Sequence, residues 1–217
     1  ETAQRLLAEA AEVEASAEED GAEEVRMVVT FNNVWELFRL RAAAKHFLAS
    51  DARRRGFPFK IKGKKIRIIY RHIEDIVDYY AAQGVEIKKM NGGYRIPWLY
   101  SARKERVPTI FLTDADLFGE NEDSTTNRNL FARTHKGVVF ATIHKFRRAG
   151  VKAIARNTTD LYHELGHVFG LEHGKAKDHD DDTCLMLQSG EPWELDQRHQ
   201  LCSKCRQKLE DLQLSRR

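Results

Sequence analysis

The sequence predicts an α+β fold, with strands and helices mixed along a single domain, and three observations lead there. Short apolar runs of strand length alternate with segments whose apolar residues recur at helical spacing. The 217 residues, 41% of them hydrophobic, suffice to bury one core without help from cross-links. Three cysteines are an odd count and do not make a secreted disulfide framework.

Residues 1–24 hold nine acids against the single base Arg5, with Leu6, Leu7 and Val13 their only sizeable apolar groups. They read as an acidic, Ala/Glu-rich extension, helical or disordered, ahead of one domain over 25–217. Residues 25–31 form a buried first strand. Asn32 or Asn33 then caps a helix to about Arg55, with Val34, Leu37, Leu40 and Ala44 along one face, and Gly56 and Pro58 end it. A second strand covers 66–70 and a second helix 73–83. Residues 85–90 and 94–100 make a hairpin about Asn91-Gly92-Gly93. Residues 109–112 are an apolar central strand. After a polar loop, 119–127, come strands 130–134 and 138–145, turning at His135-Lys136-Gly137. Asn157 or Thr158 caps the helix that follows.

That helix carries the chemistry. The run His163-Glu164-Leu165-Gly166-His167-Val168-Phe169-Gly170-Leu171-Glu172-His173 has HExxHxxGxxH spacing. On a helix, His163 and His167 lie one turn apart on one face, where two imidazoles can hold one metal. Gly170 falls where the helix must stop for the chain to bring His173 round to the same ion, and glycine adopts the left-handed conformation without steric cost. Three protein ligands leave the fourth tetrahedral position to water, as in catalytic zinc sites. Glu164 is the expected base, taking the water's proton and returning it to the leaving amine. An amphipathic core helix accounts for Leu161, Leu165 and Val168. It does not account for three histidines about a glycine, a pattern that chance supplies in roughly one such chain in ten thousand. The expected enzyme is a zinc-dependent hydrolase of peptide bonds, a metalloendopeptidase or an aminopeptidase, with peptide or protein as substrate.

The motif resembles that of the metzincin clan, which adds a methionine-containing turn after the third histidine. Met186 stands where that turn falls. Cys184-Leu185-Met186, followed by Cys202-Ser203-Lys204-Cys205, narrows the resemblance to the archaemetzincins, and the stretches 109–117 and 138–143 look like that family's strands. The resemblance runs from about Val107 to Leu209. It implies a twisted mixed sheet with an antiparallel edge strand, residues 130–134, over the cleft, together with backing helices and an active-site helix. It also implies an upper subdomain, 25–173, and a small zinc-clamped lower one, 174–217. A peptide would pair with the edge strand, with His135 and His144 near it. Met186 would be an apolar floor beneath the histidines.

The resemblance further implies a structural zinc beside the catalytic one. The family has a cysteine directly after the third histidine and another five residues later; this chain has Gly174 directly after His173, but His179 lies five residues before Cys184, the same spacing with histidine substituted. The expected second site is therefore His179, Cys184, Cys202 and Cys205, with His199 the rival fourth ligand. No tyrosine follows Tyr162, so the tyrosine that some metzincins place after the methionine turn is absent.

Charge supplies the alternative. The first 24 residues carry a net −8 of the overall +3, which leaves +11 for the rest. A nucleic-acid-associated zinc protein, or a protease acting on DNA-bound proteins, would use the basic region 53–67, with Arg53, Arg54, Arg55, Lys60, Lys62, Lys64 and Lys65. Other chemistry is excluded. Gly56 and Gly63-Lys64-Lys65 are too widely spaced for a phosphate loop, and Lys65 occupies its hydroxyl position. There is no Gly-x-Ser-x-Gly elbow. Asp180-Asp181-Asp182 reads as a solvated acid run. No apolar run is long enough to span a membrane, no basic start precedes an apolar stretch, and cytoplasmic residence is the expectation.

Overall fold

A computed structural model describes residues 25–33, 36–50, 52–57, 66–90, 92–96, 109–120, 126–127, 130–135, 137–146, 152–173, 178–187 and 192–214. The acidic extension, Pro58 and the four lysines of the basic region lie outside the described residues. In chain order the elements are β1 (Val25–Phe31), α1 (Leu37–Ala49), β2 (Ile66–His72), α2 (Ile73–Ala81), β3 (Lys88–Met90), β4 (Gly93–Ile96), β5 (Thr109–Thr113), β6 (Asp116–Glu120), β7 (Thr126–Asn127), β8 (Ala132–His135), β9 (Val138–Thr142), α3 (Ala153–Val168) and α4 (Ser203–Leu214).

The main sheet has the order β2-β1-β5-β9-β8. Its first four strands are parallel, and β8 runs antiparallel to β9 at the edge. Parallel strands buried on both faces read as continuous apolar runs, and β5 and β9 are buried at every position. Side chains still sort by parity. Met27, Val29, Ile110, Leu112, Val139 and Ala141 join Leu40 and Phe47 of α1 and Leu161 and Leu165 of α3 on one face. Val28, Phe111 and Phe140 meet Ile76 and Tyr80 of α2 on the other. Phe111 and Phe140 are partners in register and stack with ring centroids 5.0 Å apart. The mixed α+β class with an antiparallel edge strand is as expected.

Several boundaries differ, each for a tertiary reason. Glu36 occupies the N-cap position of α1, so neither asparagine caps it; the backbone N–H groups of Asn32 and Asn33 instead tie the preceding turn to the Asp114 carboxylate at 2.6 and 3.2 Å. Helix α1 stops at Ala49, where the Ser50 N–H closes it onto His46 and Phe47. Asn157 and Thr158 do not cap α3, which starts at Ala153; both lie fully buried inside it, and Thr158 Oγ1 sits 2.7 Å from His46 Nδ1. The expected hairpin forms as β3 and β4, and the polar loop 119–127 contains strand residues because β6 and β7 extend that hairpin into a second, four-stranded sheet. Strand β8 starts two residues later than expected, since Leu130 and Phe131 turn into the interior. In the basic region, Arg55 packs over the Tyr162 ring at 5.0 Å and donates to Thr159 Oγ1 at 3.3 Å, so it belongs to the interior of α3's packing and not to a basic stripe.

Helix α3 is held at both ends. Arg156 makes two hydrogen bonds, 2.9 and 2.7 Å, to Asp196 in the 3-10 turn Pro192–Asp196. Tyr162, between Phe47 and Phe57, brings its hydroxyl 2.8 Å from Ser50 Oγ. Leu161 and Leu165 are buried, and each contributes about 1.5–3 kcal/mol.

Candidate active site

Helix α3 presents His163, Glu164 and His167 and then ends in a Schellman closure. The Leu171 N–H bonds the Gly166 carbonyl at 2.9 Å, the Gly170 N–H bonds the His167 carbonyl at 3.0 Å, and Gly170 has φ +99°. The reversal brings His173 back. The Nε2 atoms of His163 and His173 lie 2.8 Å apart, those of His163 and His167 3.2 Å, and those of His167 and His173 3.1 Å. Tetrahedral zinc with bonds of about 2.0–2.1 Å sets ligand nitrogens about 3.3–3.4 Å apart, a little wider than these separations, so the three rings fit such an ion.

The other ring nitrogens decide the tautomer. His163 Nδ1–H donates to the Leu185 carbonyl at 2.7 Å, and His167 Nδ1–H donates to the Leu171 carbonyl at 2.8 Å. Each Nε2 is then a bare lone pair aimed at the shared centre. Burial, followed by the neighbouring imidazoles, pushes His163 and His173 down to about 4, so both rings are neutral near pH 7 and free to ligate. His163 is buried and His173 exposed, which leaves one side of the centre open to solvent.

Glu164 is buried beside this centre, and burial raises its carboxyl. Thr134 of β8 donates its hydroxyl to Glu164 Oε2 and approaches the Glu164 carbonyl at 3.2 Å. Asp160, one turn earlier, is buried too, and burial with Glu164 holds its carboxyl well above the usual carboxylate range. Neither Thr134 nor Asp160 was marked by the sequence reading. Spacing i to i+4 places Asp160 on the face of Glu164, which was the signal available; Thr134 had none. His144 is half-buried outside the cluster, and the His135 side chain lies outside the described residues.

Met186 lies under α3 and is fully buried. A Cβ added at Gly166 would stand 2.3 Å from its Sδ, so this mid-helix glycine makes room for the methionine. Gly166→Ala should lower the Tm by roughly 4–8 °C, because overpacking at so short a contact costs about 3 kcal/mol while alanine favours the helix by about 1 kcal/mol. Thermal unfolding of the variant checks it; an unchanged or higher Tm would mean that sulfur and helix do not meet so closely.

A second cluster sits below. His179, Cys184, Cys202 and Cys205 are buried, with one ligand atom from each lying within 4.8 Å of the others. Cys184 and Cys205 Sγ are 3.8 Å apart, and His179 Nδ1 is 3.5 Å from the sulfurs of both Cys202 and Cys205. Tetrahedral zinc demands about 3.8 Å between sulfurs and about 3.6 Å from nitrogen to sulfur, so these residues also fit the ion. The three cysteines form no disulfide. The Cys205 thiol holds Cys184 down to about 5, and the same bond with burial pushes Cys205 up. His199 stands apart, exposed, with its N–H on the Thr183 carbonyl. The acid run braces the loop: Asp181 accepts from the Thr183 N–H and hydroxyl at 2.7 and 2.6 Å, and Asp180 accepts from Ser203.

Residues 103–211 match the model of peptidase family M54. Among solved structures, the archaemetzincin of Methanopyrus kandleri is similar over 88% of this chain and 97% of its own, at 17% identity and TM-score 0.59. The archaemetzincin of Archaeoglobus fulgidus, solved with malonate, is similar over 85% and 99%, at 16% identity and TM-score 0.52. At such identities the likeness is one of fold. No curated protein sequence matches the chain.

Proposed function

The chain belongs to peptidase family M54, and from that premise we propose that it cleaves peptide bonds at the three-histidine centre. His163, His167 and His173 are the ligands of a catalytic zinc, and Glu164 is the base. The observation that carries this reading is the convergence of three Nε2 atoms within 3.2 Å of one another, beside a buried carboxylate. A zinc ion held there supplies Lewis acidity toward water and the scissile carbonyl. The protein does the rest. Glu164 takes a proton from the attacking water and delivers it to the leaving amine. Strand β8, the edge of the main sheet among the described residues, receives an extended peptide by backbone pairing. Met186 and the carbonyls of Leu185 and Leu171 keep the rings in place.

The second cluster, with His179 standing where the family has a cysteine, is a structural zinc site that clamps residues 174–217 to the rest of the domain. The test is zinc quantification on purified protein, with cleavage of a peptide library in free and acetylated forms. Two zinc ions per chain and cleavage within acetylated peptides are the expected results. Cleavage of free N-termini alone would make the enzyme an aminopeptidase, and a zinc-loaded protein that cuts no peptide would end the reading.

A further inference from the structure

A general base needs more than a suitable proton affinity. Its carboxylate must be turned so that one oxygen meets the attacking water, and a misplacement of an ångström is costly. Among the described residues no ion pair aims Glu164; its carboxylate is held from across the cleft, where Thr134 donates to Oε2. The same hydroxyl lies 3.2 Å from the Glu164 main-chain carbonyl. Contact with both ends of one residue fixes the glutamate's torsions, which a bond to the carboxylate alone would leave looser.

The strand matters as much as the hydroxyl. Thr134 pairs with Val139 in the ladder between β8 and β9, and β8 is the edge of the main sheet. We propose that Thr134 is the positioning residue of the peptidase reaction: it holds Glu164 Oε2 so that Oε1 faces the attacking water, and it ties the base to the strand on which the peptide is seated. This rests on Glu164 being the base. A threonine that only pins strand to helix is the competing explanation, and the two differ in what a missing hydroxyl changes.

Thr134→Val keeps the shape and β-branching while removing the hydroxyl, and Thr134→Ser keeps the hydroxyl. In the zinc-loaded enzyme, Thr134→Val should lower kcat by about tenfold or more with KM and zinc content unchanged, while Thr134→Ser stays within about threefold of wild type. In a Glu164→Gln background, Thr134→Val should change kcat by less than about twofold, since no base remains to be aimed. A crystal structure of Thr134→Val should show the Glu164 carboxylate rotated out of its present place, a result that stands whether or not the wild type cleaves peptides. An equal loss in both backgrounds, a Thr134→Ser variant as poor as Thr134→Val, or a carboxylate that has not moved would overturn the proposal. If Thr134→Val fails to fold, Thr134→Ser and Thr134→Ala carry the same comparison.

Discussion

Glu164→Gln is expected to bind zinc as the wild type does and to lose about a hundredfold or more in kcat, the usual size of base catalysis. Glutamine is isosteric and cannot accept the water's proton. It keeps an oxygen that can receive the Thr134 hydroxyl, so the local packing survives. The metal should stay because the three Nε2 atoms that surround it come from other residues. Stability offers an independent check. Burial raises the Glu164 carboxyl in the folded state, so the charged form opposes folding, and that opposition grows as pH rises through the raised value. At neutral pH the zinc-free variant should therefore unfold at the same temperature as the zinc-free wild type or higher. Turnover within a few fold of wild type, in a variant with full zinc content, would remove Glu164 from the reaction.

How much of this site was readable beforehand depends on the range of the interactions involved. The histidine spacing and Gly170 are local facts: 3.6 residues per turn and one left-handed residue suffice to bring three rings together, and the Schellman closure at Gly170 is built from neighbours in sequence. The cysteine pair and His179 were reachable only through family spacing, because nothing in a helix or strand period links residue 179 to residue 205. The contacts that tune the centre were not legible. The Leu185 and Leu171 carbonyls that fix the tautomers are backbone groups, without any residue signature. Thr134 is thirty residues from Glu164 and resembles any strand threonine.

The fold divides along the same line. Both parallel central strands announced themselves as apolar runs, since burial on two faces leaves no polar alternation. Caps failed where the residues were claimed by distant partners. Asp114 takes the backbone N–H groups of Asn32 and Asn33, Tyr94 donates its hydroxyl to Asn32 Oδ1, and His46 takes the Thr158 hydroxyl. Capping propensity describes what a residue does for its own helix when nothing better is within reach. Half of the small second sheet, the β3–β4 hairpin, was read from its Asn-Gly-Gly turn; β7 escaped because two residues are too few for a period of two to be seen.

Cys202→Ser is expected to reduce the zinc content from two ions per chain to one and to lower the Tm by about 10 °C or more, as the loss of a structural metal site does. The damage should then travel to the catalytic centre through three consecutive residues. Cys184 belongs to the second cluster and receives the Cys202 N–H on its sulfur at 3.3 Å. Leu185 offers its carbonyl to His163 Nδ1. Met186 fills the hollow that Gly166 leaves beneath α3. Freed from its metal, Cys184 no longer fixes that turn, and both supports of the histidine rings loosen with it. The remaining zinc should accordingly bind more weakly, by about ten- to a hundredfold, as when a ligand's supporting hydrogen bonds are lost. Activity measured against added zinc reads this directly: the variant should need more zinc than the wild type for half-maximal turnover, and should recover part of its rate in excess. Retention of two tightly held ions would show that Cys202 is no ligand. A fall to one ion with the catalytic affinity unchanged would uncouple the two centres and leave the second as a clamp for the C-terminal helix alone.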